Sequence, residues 1–222
     1  MTDSIKQKIN ELRQEYRKGS LLRANLEASP FEQFEKWFNE AVLASIPDAN
    51  AMTLSSIGID GIPNARTVLM KEFNNGGVTF FTNRHSNKGK ELANSPVAAL
   101  LFFWKELERQ VHVRGDVEQT SREESQAYFF SRPYDARIGA WASLQSEEIP
   151  TREWLSDRVS EFEAKFPDNG EPDCVPLPEH WGGYRVIPKS IEFWQGQPGR
   201  KHDRFRYEKG DDGEWSAKRL SP

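Results

Sequence analysis

The chain has 222 residues, and its 34 acidic residues against 30 lysines and arginines give a formal net charge of −4 at pH 7, which argues against a general nucleic-acid binder. A chain of this length is most simply one domain that buries roughly 70% of the surface its unfolded form exposes, and its single cysteine, Cys174, can form no internal disulfide. No apolar run reaches membrane-spanning length or resembles a signal peptide, so we expect a cytoplasmic protein.

Two helices are predicted before the first strand. The first spans residues 4–17, and a helix this short is marginal alone, so it is docked, frayed or a mobile lid. Its apolar residues recur at helical spacing: Ile5, Ile9, Leu12 and Tyr16. The second helix begins at a capping box, in which Ser29 is the N-cap, Pro30 is the first helical residue and Glu32 is the third. It is expected to end near residues 46–47.

The pattern then changes to β-branched and aromatic residues separated by turn signals, which predicts strands. The five predicted strands span residues 51–59, 64–73, 78–82, 97–104 and 109–118. Asp60-Gly61 and the segment 74–77 are typical of hairpin turns. The continuous apolar run over residues 97–104 predicts a strand that is buried on both faces. A short helix is predicted between the third and fourth strands, over residues 86–93.

The second half of the chain predicts helices followed by short strands. The helices span residues 120–130, 135–142 and 151–166, the first with a capping box at Thr120 and Glu123. Residues 167–180 predict a surface loop. The last strands span residues 183–187, 191–195, 205–207 and 214–219. Antiparallel strands with flanking helices indicate a mainly β, α+β fold with a closed or partly open barrel, whereas a parallel βαβ architecture fits poorly.

Several common chemistries lack their motifs in this sequence. There is no G-x-G-x-x-G or Walker lysine motif and no G-x-S-x-G elbow. The four histidines and Cys174 lack metal-ligand spacing, so no metal site is expected. Seven tryptophans and fourteen phenylalanines are many for a chain of mean hydropathy −0.76. They predict aromatic surfaces in a ligand pocket or a subunit interface.

The segment 66–90 carries the first candidate site. It predicts strand, turn, strand and then a helix whose N-cap is Ser86, with Lys88 in its first turn and Thr82 at the end of the preceding strand. Free backbone N–H groups, hydroxyls and an ammonium together favour an anion, most plausibly a phosphate. The alternative is a solvated hairpin with scattered charges.

Two further segments contain candidate ligand groups. In the segment 192–207, Arg200, His202 and Arg204 alternate beyond Trp194, so on an extended strand they share one face that suits a planar anionic ligand. An exposed basic turn is the alternative, and a nucleic-acid patch is the weakest interpretation. In the segment 128–146, Tyr128 and Arg132 share a helix face if the helix extends that far, and they can then bind a phosphate together. Gln145 and Ser146 follow in a loop. Such residues alone more often cap helices.

Eight motifs in order give the sequence a specific resemblance. They are R-T-V-L-M-K, F-F-T-N-x-x-S-x-K, L-E-R-Q-V-H-V-R-G, Y-F-x-S-R-P, I-G-A-W-A-S-x-Q-S, W-G-G-Y-R-V, I-E-F-W-Q-G and R-x-H-D-R-F-x-Y. Together they resemble the pyridoxine (pyridoxamine) 5′-phosphate oxidase family over nearly the whole chain.

The resemblance implies a single FMN-binding split-barrel domain over residues 1–222, with an antiparallel, Greek-key-like barrel and an N-terminal lid over residues 1–19. It implies a homodimer with FMN at the subunit interface. The implied activity is oxidation of pyridoxamine 5′-phosphate and pyridoxine 5′-phosphate to pyridoxal 5′-phosphate, by hydride transfer to flavin N5 with reduction of O2 to H2O2. No metal, nucleic acid or membrane takes part.

The resemblance also implies the site residues. The positions that match FMN contacts are Arg66, Thr67, Val68, Leu69, Met70, Lys71, Phe81, Thr82, Asn87, Lys88, Gln110, Gln145, Ser146, Trp194 and Arg204. The positions that match substrate contacts are Arg13, Tyr16, Lys71, Tyr128, Arg132, Ala136, Arg200 and His202. Among them, Arg200 and His202 match the catalytic pair that lies over the pyridine ring.

Two positions depart from the family pattern. Asn87 replaces the usual arginine beside the phosphate-binding lysine, and Ala136 replaces a usual serine. The first change removes a charge-assisted hydrogen bond of about 1.5–3 kcal/mol, and the second a neutral one of about 0.5–1.5 kcal/mol. Neither loss is enough to abolish binding.

One spacing conflicts with a single anion pocket. Arg66 and Lys71 are five residues apart, so on an unbroken strand they point to opposite faces. Two ligands, one on each side, resolve the conflict, and so does a local bulge. The segment 66–90 then forms a wall between flavin and substrate.

Two other functions compete with the oxidase. One is a different split-barrel flavoenzyme, such as a flavin, nicotinamide- or deazaflavin-dependent reductase. The segment R-K-H-D-R and the pair Tyr128 and Arg132 argue against it, because they suit a pyridine phosphate. The other is a carrier that binds flavin or pyridoxal phosphate without catalysis.

Overall fold

The computed structural model describes residues 15–74 and 76–222, together with Ile9. Contacts between residues group the chain into two compact units. The first unit contains the described part of residues 1–49 together with residues 101–113 and 190–222, and the second contains residues 50–100 and 114–189. The single domain expected from the sequence stays a prediction.

Five helices and nine strands make up the described regular structure, apart from Ile9 and short 3₁₀ turns. The helices are α1 (Pro30–Leu43), α2 (Asn87–Asn94), α3 (Arg122–Phe130), α4 (Tyr134–Ala142) and α5 (Arg152–Lys165). The strands are β1 (Ala51–Ile57), β2 (Pro63–Leu69), β3 (Glu72–Asn74), β4 (Gly77–Asn83), β5 (Val97–Trp104), β6 (Arg109–Gln119), β7 (Trp181–Gln195), β8 (Asp203–Lys209) and β9 (Trp215–Leu220).

The strands form one sheet in the order β2-β1-β5-β6-β7-β4-β3, with β8 paired to β7 and β9 paired to β8. The ladders β1/β2, β3/β4, β4/β7, β7/β8 and β8/β9 are all antiparallel. This confirms the predicted α+β class with an antiparallel sheet and flanking helices. None of the described helices is long and apolar enough to cross a membrane.

Helix α1 follows its predicted N-terminal signal. Ser29 and Glu32 form the reciprocal capping box with proline at the first position, and the helix ends at Leu43, a few residues earlier than expected. In the first unit, its buried Phe34 and Trp37 pack on Phe102 and Phe193, with ring centroids 5.0 and 5.3 Å apart. The apolar face is therefore what attaches this helix to the sheet.

The predicted strand over residues 64–73 is wrong as a single element. The chain leaves the β1/β2 ladder after Leu69 and enters the β3/β4 ladder at Glu72. Between them, Met70 N–H donates to Asn50 O and Lys71 N–H donates to Thr79 O, both at 2.9 Å. The backbone is hydrogen-bonded to β1 before the break and to β4 after it. The alternation rule therefore does not relate Arg66 to Lys71.

Strand β5 has the predicted bounds, but the prediction that both of its faces are buried is wrong. Leu100, Phe102 and Trp104 are at most 2% exposed, whereas Val97 is 41% and Phe103 is 54% exposed. A continuous apolar run shows that both faces of a strand are apolar, but it does not show that both faces are buried within the same chain. Strand β6 keeps the predicted alternation, with Val111 and Val113 buried.

The predicted capping box of the helix after β6 is wrong by one residue. Ser121 and Glu124 form the box at the start of α3. Thr120 is buried instead, where its hydroxyl lies 2.9 Å from Ser125 Oγ and accepts from Gly183 N–H at 3.2 Å. The pairs Thr120/Glu123 and Ser121/Glu124 both fit the capping pattern. The buried hydrogen bonds of Thr120 leave Ser121 as the N-cap.

Three segments differ from their predicted form. Residues 183–187 and 191–195 belong to one strand, β7. In the predicted surface loop over residues 167–180, Val175 and Leu177 are buried in the core of the second unit beside Phe129, Ile138 and Phe162. Of the predicted helix over residues 4–17, residues 15–17 are not helical, and most of the rest, including Arg13, lies outside the described residues.

Candidate functional site

A cavity of about 590 Å³ lies within the second unit. Among the described residues that line it, three side chains are cations and none is a carboxylate. The lining consists of Thr67, Val68, Leu69, Lys71, Phe81, Thr82, Asn83, Lys88, Tyr128, Arg132, Ala136, Gly139, Ala140, Ser143, Gln145 and Trp181. A cavity with this charge favours an anionic ligand.

Lys88 is fixed at one end of the cavity by the start of α2. Ser86 caps the helix by accepting from Gly89 N–H. Lys88 Nζ then donates to Thr82 Oγ1 at 3.1 Å and to Gln145 Oε1 at 3.0 Å. Burial, and next the nearby charge of Arg66, lower the pKa of Lys88. The structure brings Thr82, Ser86 and Lys88 together, whereas the anion site stays a prediction. A bound anion would relieve the cost of burying Lys88.

Arg66 lies on β2 against a buried acid that the sequence analysis missed. Glu91 is 4% exposed, and its carboxylate accepts from Arg66 at 2.9 Å, from Ser56 at 2.6 Å and from Asn64 at 2.7 Å. Arg66 also donates to Ser56 Oγ. Burial alone would raise the pKa of Glu91, but these hydrogen bonds and the charge of Arg66 lower it below its ordinary value. Glu91 therefore holds the Arg66 guanidinium in one orientation.

A stack of aromatic rings forms another part of the cavity. The Phe81 ring lies 4.2 Å from Tyr128 and 5.4 Å from Trp181, and both pairs are stacked. Lys71 Nζ lies 5.8 Å from the centre of the Tyr128 ring. The sequence analysis missed Trp181, although its place at the start of W-G-G, directly after a proline-rich loop, was a usable signal.

Arg132 is the third cation of the cavity. Its guanidinium carbon lies 4.8 Å from the centre of the Trp181 ring, and burial lowers the pKa of the side chain. Its Nη1 is buried without a hydrogen-bond partner among the described residues. Helix α3 ends at Phe130, so the predicted shared helix face does not reach Arg132, but Tyr128 and Arg132 both line the cavity. An unpaired buried guanidinium nitrogen is a donor for an anionic ligand.

A second group of predicted residues lies in the first unit. The His202 ring lies 4.6 Å from Trp194 and 5.5 Å from Tyr16, which meets it edge-on. His202 Nδ1 accepts from Gln197 N–H at 3.1 Å, so the neutral ring carries its proton on Nε2. Burial, and next the charge of Arg200, lower the pKa of His202.

The predicted common face of Arg200, His202 and Arg204 is wrong for Arg200. Arg200 belongs to a 3₁₀ turn over Pro198–Arg200 with φ of +61°, and β8 begins only at Asp203. The predicted alternation required an extended strand from Arg200 onward, whereas the turn includes Arg200. Arg204 does lie on β8 opposite Trp194, where its Nε donates to Glu192 at 2.8 Å.

The remaining predicted residues divide as follows. Gln110 on β6 and Tyr16 belong to the first unit. Met70, Asn87 and Ser146 belong to the second unit but do not line the cavity. Asn87 is exposed at the first position of α2, and Ser146 is exposed with φ of +75°. Ala136, the other departure from the family pattern, does line the cavity.

Two family models match most of the chain. Residues 38–166 match the family described as pyridoxamine 5′-phosphate oxidase. Residues 181–222 match the family described as the pyridoxine 5′-phosphate oxidase C-terminal dimerisation region. The second match includes Trp194, Arg200, His202 and Arg204.

Comparison with individual proteins leads to the same family. The chain is 51% identical to the pyridoxine/pyridoxamine 5′-phosphate oxidase of Cupriavidus pinatubonensis over 96% of its own length and 99% of the relative's. It is also 51% identical to that of Thermosynechococcus vestitus, over 97% and 99%. Among solved structures, PhzG from Burkholderia lata, in complex with tetrahydrophenazine-1-carboxylic acid, has a TM-score of 0.84 at 27% identity and covers 93% of this chain and 100% of its own.

A second solved structure supports the fold alone. A pyridoxamine 5′-phosphate oxidase-related, FMN-binding protein from Nostoc punctiforme has a TM-score of 0.72 at 18% identity, covering 89% of this chain and 100% of its own. The fold is therefore the FMN-binding split barrel, as predicted.

The charge of Arg200 sets a testable property of His202. Replacing Arg200→Gln removes a cation that lowers the pKa of His202, so the pKa of His202 rises toward the ordinary 6.5. At a pH near that value the native ring is protonated less often than the variant ring. NMR titration of the His202 ring protons measures this, with Lys201→Gln as the matched control. A shift in Arg200→Gln no larger than that in the control would contradict this assignment.

Proposed function

Because the chain belongs to the pyridoxine/pyridoxamine 5′-phosphate oxidase family, we propose that its cation-lined cavity and the turn carrying Arg200 and His202 serve the reaction of that family. The protein is a pyridoxamine-phosphate oxidase that uses FMN and produces pyridoxal 5′-phosphate in vitamin B6 metabolism. The observation that carries the site assignment is the cavity itself, whose described lining has three cations, no carboxylate and one buried guanidinium nitrogen that is unpaired within the described part of the chain.

The residues present suit FMN. Lys88 and Arg66 are two cations in one region of the second unit, where burial of Lys88 favours an anion such as the flavin phosphate. Thr82 and Gln145 are hydrogen-bonded to Lys88 and can exchange those bonds for a ligand. When bound, FMN supplies a hydride acceptor at N5, which no amino-acid side chain offers, and O2 reoxidises it with formation of H2O2.

The full set of FMN contacts remains our proposal. It consists of Arg66, Thr67, Val68, Leu69, Met70, Lys71, Phe81, Thr82, Asn87, Lys88, Gln110, Gln145, Ser146, Trp194 and Arg204. Glu91 joins it as the residue that orients Arg66. Asn87 is the weakest member, because its side chain is exposed and uncharged.

We assign the phosphate of the substrate to Lys71, Tyr128 and Arg132. Arg132 offers the unpaired Nη1, and the break between β2 and β3 places Lys71 beside Tyr128. Ala136 lines this cavity without offering a hydroxyl. Holding the phosphate far from the reacting carbon fixes the orientation of the substrate through remote binding energy.

Arg200 and His202 position the pyridine ring in this proposal. The lowered pKa of His202 keeps the ring neutral, with a proton on Nε2 that can be donated to a ring oxygen or nitrogen of the substrate. Tyr16 packs on the same imidazole, and Arg13 remains part of the proposed substrate set. Oxidation of the amine gives an imine that water hydrolyses to the aldehyde and ammonia, whereas oxidation of the alcohol gives the aldehyde directly. We place this reaction in the cytoplasm, in keeping with the single, half-buried thiol of Cys174.

An aerobic assay tests the oxidase assignment. The purified protein is expected to show the visible spectrum of a flavin and to convert pyridoxamine 5′-phosphate to pyridoxal 5′-phosphate and H2O2 in equal amounts. Arg66→Ala is expected to weaken FMN binding roughly 10- to 100-fold, as the loss of one charge-assisted hydrogen bond predicts. Arg200→Ala is expected to lower kcat/KM while FMN stays bound.

Matched exposed cations control this experiment: Lys90→Ala for Arg66 and Lys201→Ala for Arg200. Both controls should keep native FMN binding and native kcat/KM. A yellow protein that produces neither aldehyde nor H2O2 would rule out the oxidase. Equal effects of Arg66→Ala and Arg200→Ala on both quantities would rule out the division of roles.

We further propose a homodimer with FMN at the subunit interface. The segment that matches a dimerisation region carries four of the proposed ligand residues: Trp194, Arg200, His202 and Arg204. Apolar side chains of β5, including Phe103, are exposed on this chain and suit a partner surface. An interface that binds FMN takes its contacts from both chains.

Mixed dimers test the shared site. Arg132→Ala and Arg200→Ala subunits are each expected to be nearly inactive alone. If one site combines Arg132 of one chain with Arg200 of the other, every mixed dimer has one intact site, so random mixing restores about a quarter of the native activity. Mixing after unfolding and refolding, followed by the aldehyde assay, measures this. Activity no higher than that of the separate variants would show that each site lies in one chain.

A further inference from the structure

We propose that Glu108 is a positioning residue, whose carboxylate fixes residues 16–19 so that Tyr16 stays packed on Trp194 and His202. The proposal rests on the function given above, because it assigns a role to Tyr16 at the substrate end of the site. Glu108 itself is not among the residues that match ligand contacts in the family. It lies in the first unit, between the 3₁₀ turn Lys105–Leu107 and β6.

The carboxylate of Glu108 accepts two backbone hydrogen bonds from the segment. Arg17 N–H donates to Glu108 Oε2 at 2.8 Å, and Lys18 N–H donates to the same oxygen at 2.9 Å. Such bonds to a charged acceptor are roughly twice as strong as neutral ones. Residues 15–20 are not helical, and among the described residues these two backbone N–H groups donate to Glu108. The Glu108 carboxylate therefore accepts the backbone N–H groups that would be paired with carbonyl groups in a helix or strand.

Further contacts hold the same segment on either side. Lys18 Nζ donates to Glu106 O at 2.8 Å. The Gln197 side-chain amide donates to Gly19 O. These contacts use backbone carbonyls or a side-chain amide, whereas Glu108 is the charged acceptor for the backbone of residues 17 and 18. They also attach the segment to the stretch that follows Trp194.

The anchored segment places the Tyr16 ring against the imidazole. Its ring centroid lies 5.6 Å from that of Trp194 and 5.5 Å from that of His202, edge-on in both cases. Gly196 makes this approach possible, because a Cβ at that position would lie 2.7 Å from Tyr16 Cγ. Tyr16 therefore covers part of His202 and contributes to its burial.

The backbone of Glu108 supports a role beyond packing. Its φ of +54° and ψ of +41° are left-handed, a conformation that is strained for a non-glycine residue. Its carbonyl accepts Gly196 N–H at 2.8 Å, while its carboxylate holds residues 17 and 18. One strained residue thus joins the segment that carries Tyr16 to the glycine on which the Tyr16 ring lies.

Trypsin provides a test that does not depend on activity. Glu108→Gly removes the carboxylate and suits the positive φ, so the variant should fold. Opening of the segment should make cleavage after Arg17 and Lys18 faster by roughly tenfold or more, which corresponds to the loss of one charge-assisted hydrogen bond. Mass spectrometry of the holoenzyme digest identifies the cut. Glu106→Gln, which changes a neighbouring exposed acid, is the matched control and should be cleaved at the native rate.

Steady-state kinetics distinguish positioning from a merely structural anchor. In Glu108→Gly, KM for pyridoxamine 5′-phosphate is expected to rise more than kcat falls, because the free enzyme must first recover the closed segment. Gly196→Ala should give the same split by a different route, since its methyl group displaces the Tyr16 ring. Glu108→Gln, which keeps one oxygen acceptor, should give a smaller effect.

Two outcomes would overturn the proposal. One is a native cleavage rate in Glu108→Gly, which would show that the carboxylate does not anchor the segment. The other is faster cleavage with a native KM, which would show that the anchor does not act on the substrate. If the native protein forms no aldehyde at all, the oxidase assignment fails, and the cleavage rates still decide whether Glu108 anchors residues 16–19.

Discussion

The arrangement of the second unit depends on one buried carboxylate, Glu91. Arg66 and Lys88 lie close enough for the charge of Arg66 to lower the pKa of Lys88, while Glu91 acts in the opposite direction. The carboxylate is fully hydrogen-bonded by Ser56, Asn64 and Arg66. Removing one partner from a buried ion pair typically costs about 3–5 kcal/mol, so this network attaches α2 to β1 and β2. The helix that carries Lys88 is thereby held in place by the same acid that orients Arg66.

This arrangement explains how a site rich in cations can exist before a ligand arrives. Two cations without an acid would repel each other and disfavour their own burial. Glu91 compensates the charge of Arg66, and neither of these two residues is among the described residues that line the cavity. A phosphate entering the cavity therefore meets positive charge and no competing anion. Arg132 likewise keeps its charge without an acid in the cavity, because its guanidinium packs on the Trp181 ring.

The sequence predicted those features that depend on local chemistry. The capping box at Ser29, the hairpin turns and the cap at Ser86 are encoded within a few residues, and the structure confirms them. The grouping of Thr82, Lys88 and Gln145 was also predictable, because the resemblance places them at one ligand. Glu91 was missed because a glutamate has no spacing rule that marks it as part of a site, and Trp181 was missed because its place at the start of W-G-G was not used as a signal.

Tertiary pairing accounts for the wrong predictions. The strand over residues 64–73 breaks because the chain moves from one ladder to another, a choice made by distant partners such as Asn50 and Thr79. Arg200 leaves the expected strand face because the turn after Trp194 includes it. Val97 and Phe103 are exposed on this chain, because an apolar strand can be buried by the same chain on one face only. The apolar run does not distinguish that case from burial on both faces. In each case the local pattern was compatible with two structures.

Comparison of FMN with riboflavin tests the central claim that the cations around Glu91 select a phosphate. Both ligands have the same ring system, so a titration that follows flavin fluorescence isolates the contribution of the phosphate. We expect FMN to bind at least about 100-fold more tightly than riboflavin, as two charge-assisted hydrogen bonds would provide. Most of this preference should be lost in Lys88→Ala. Equal affinities of the native protein for the two flavins would show that these cations do not select a phosphate.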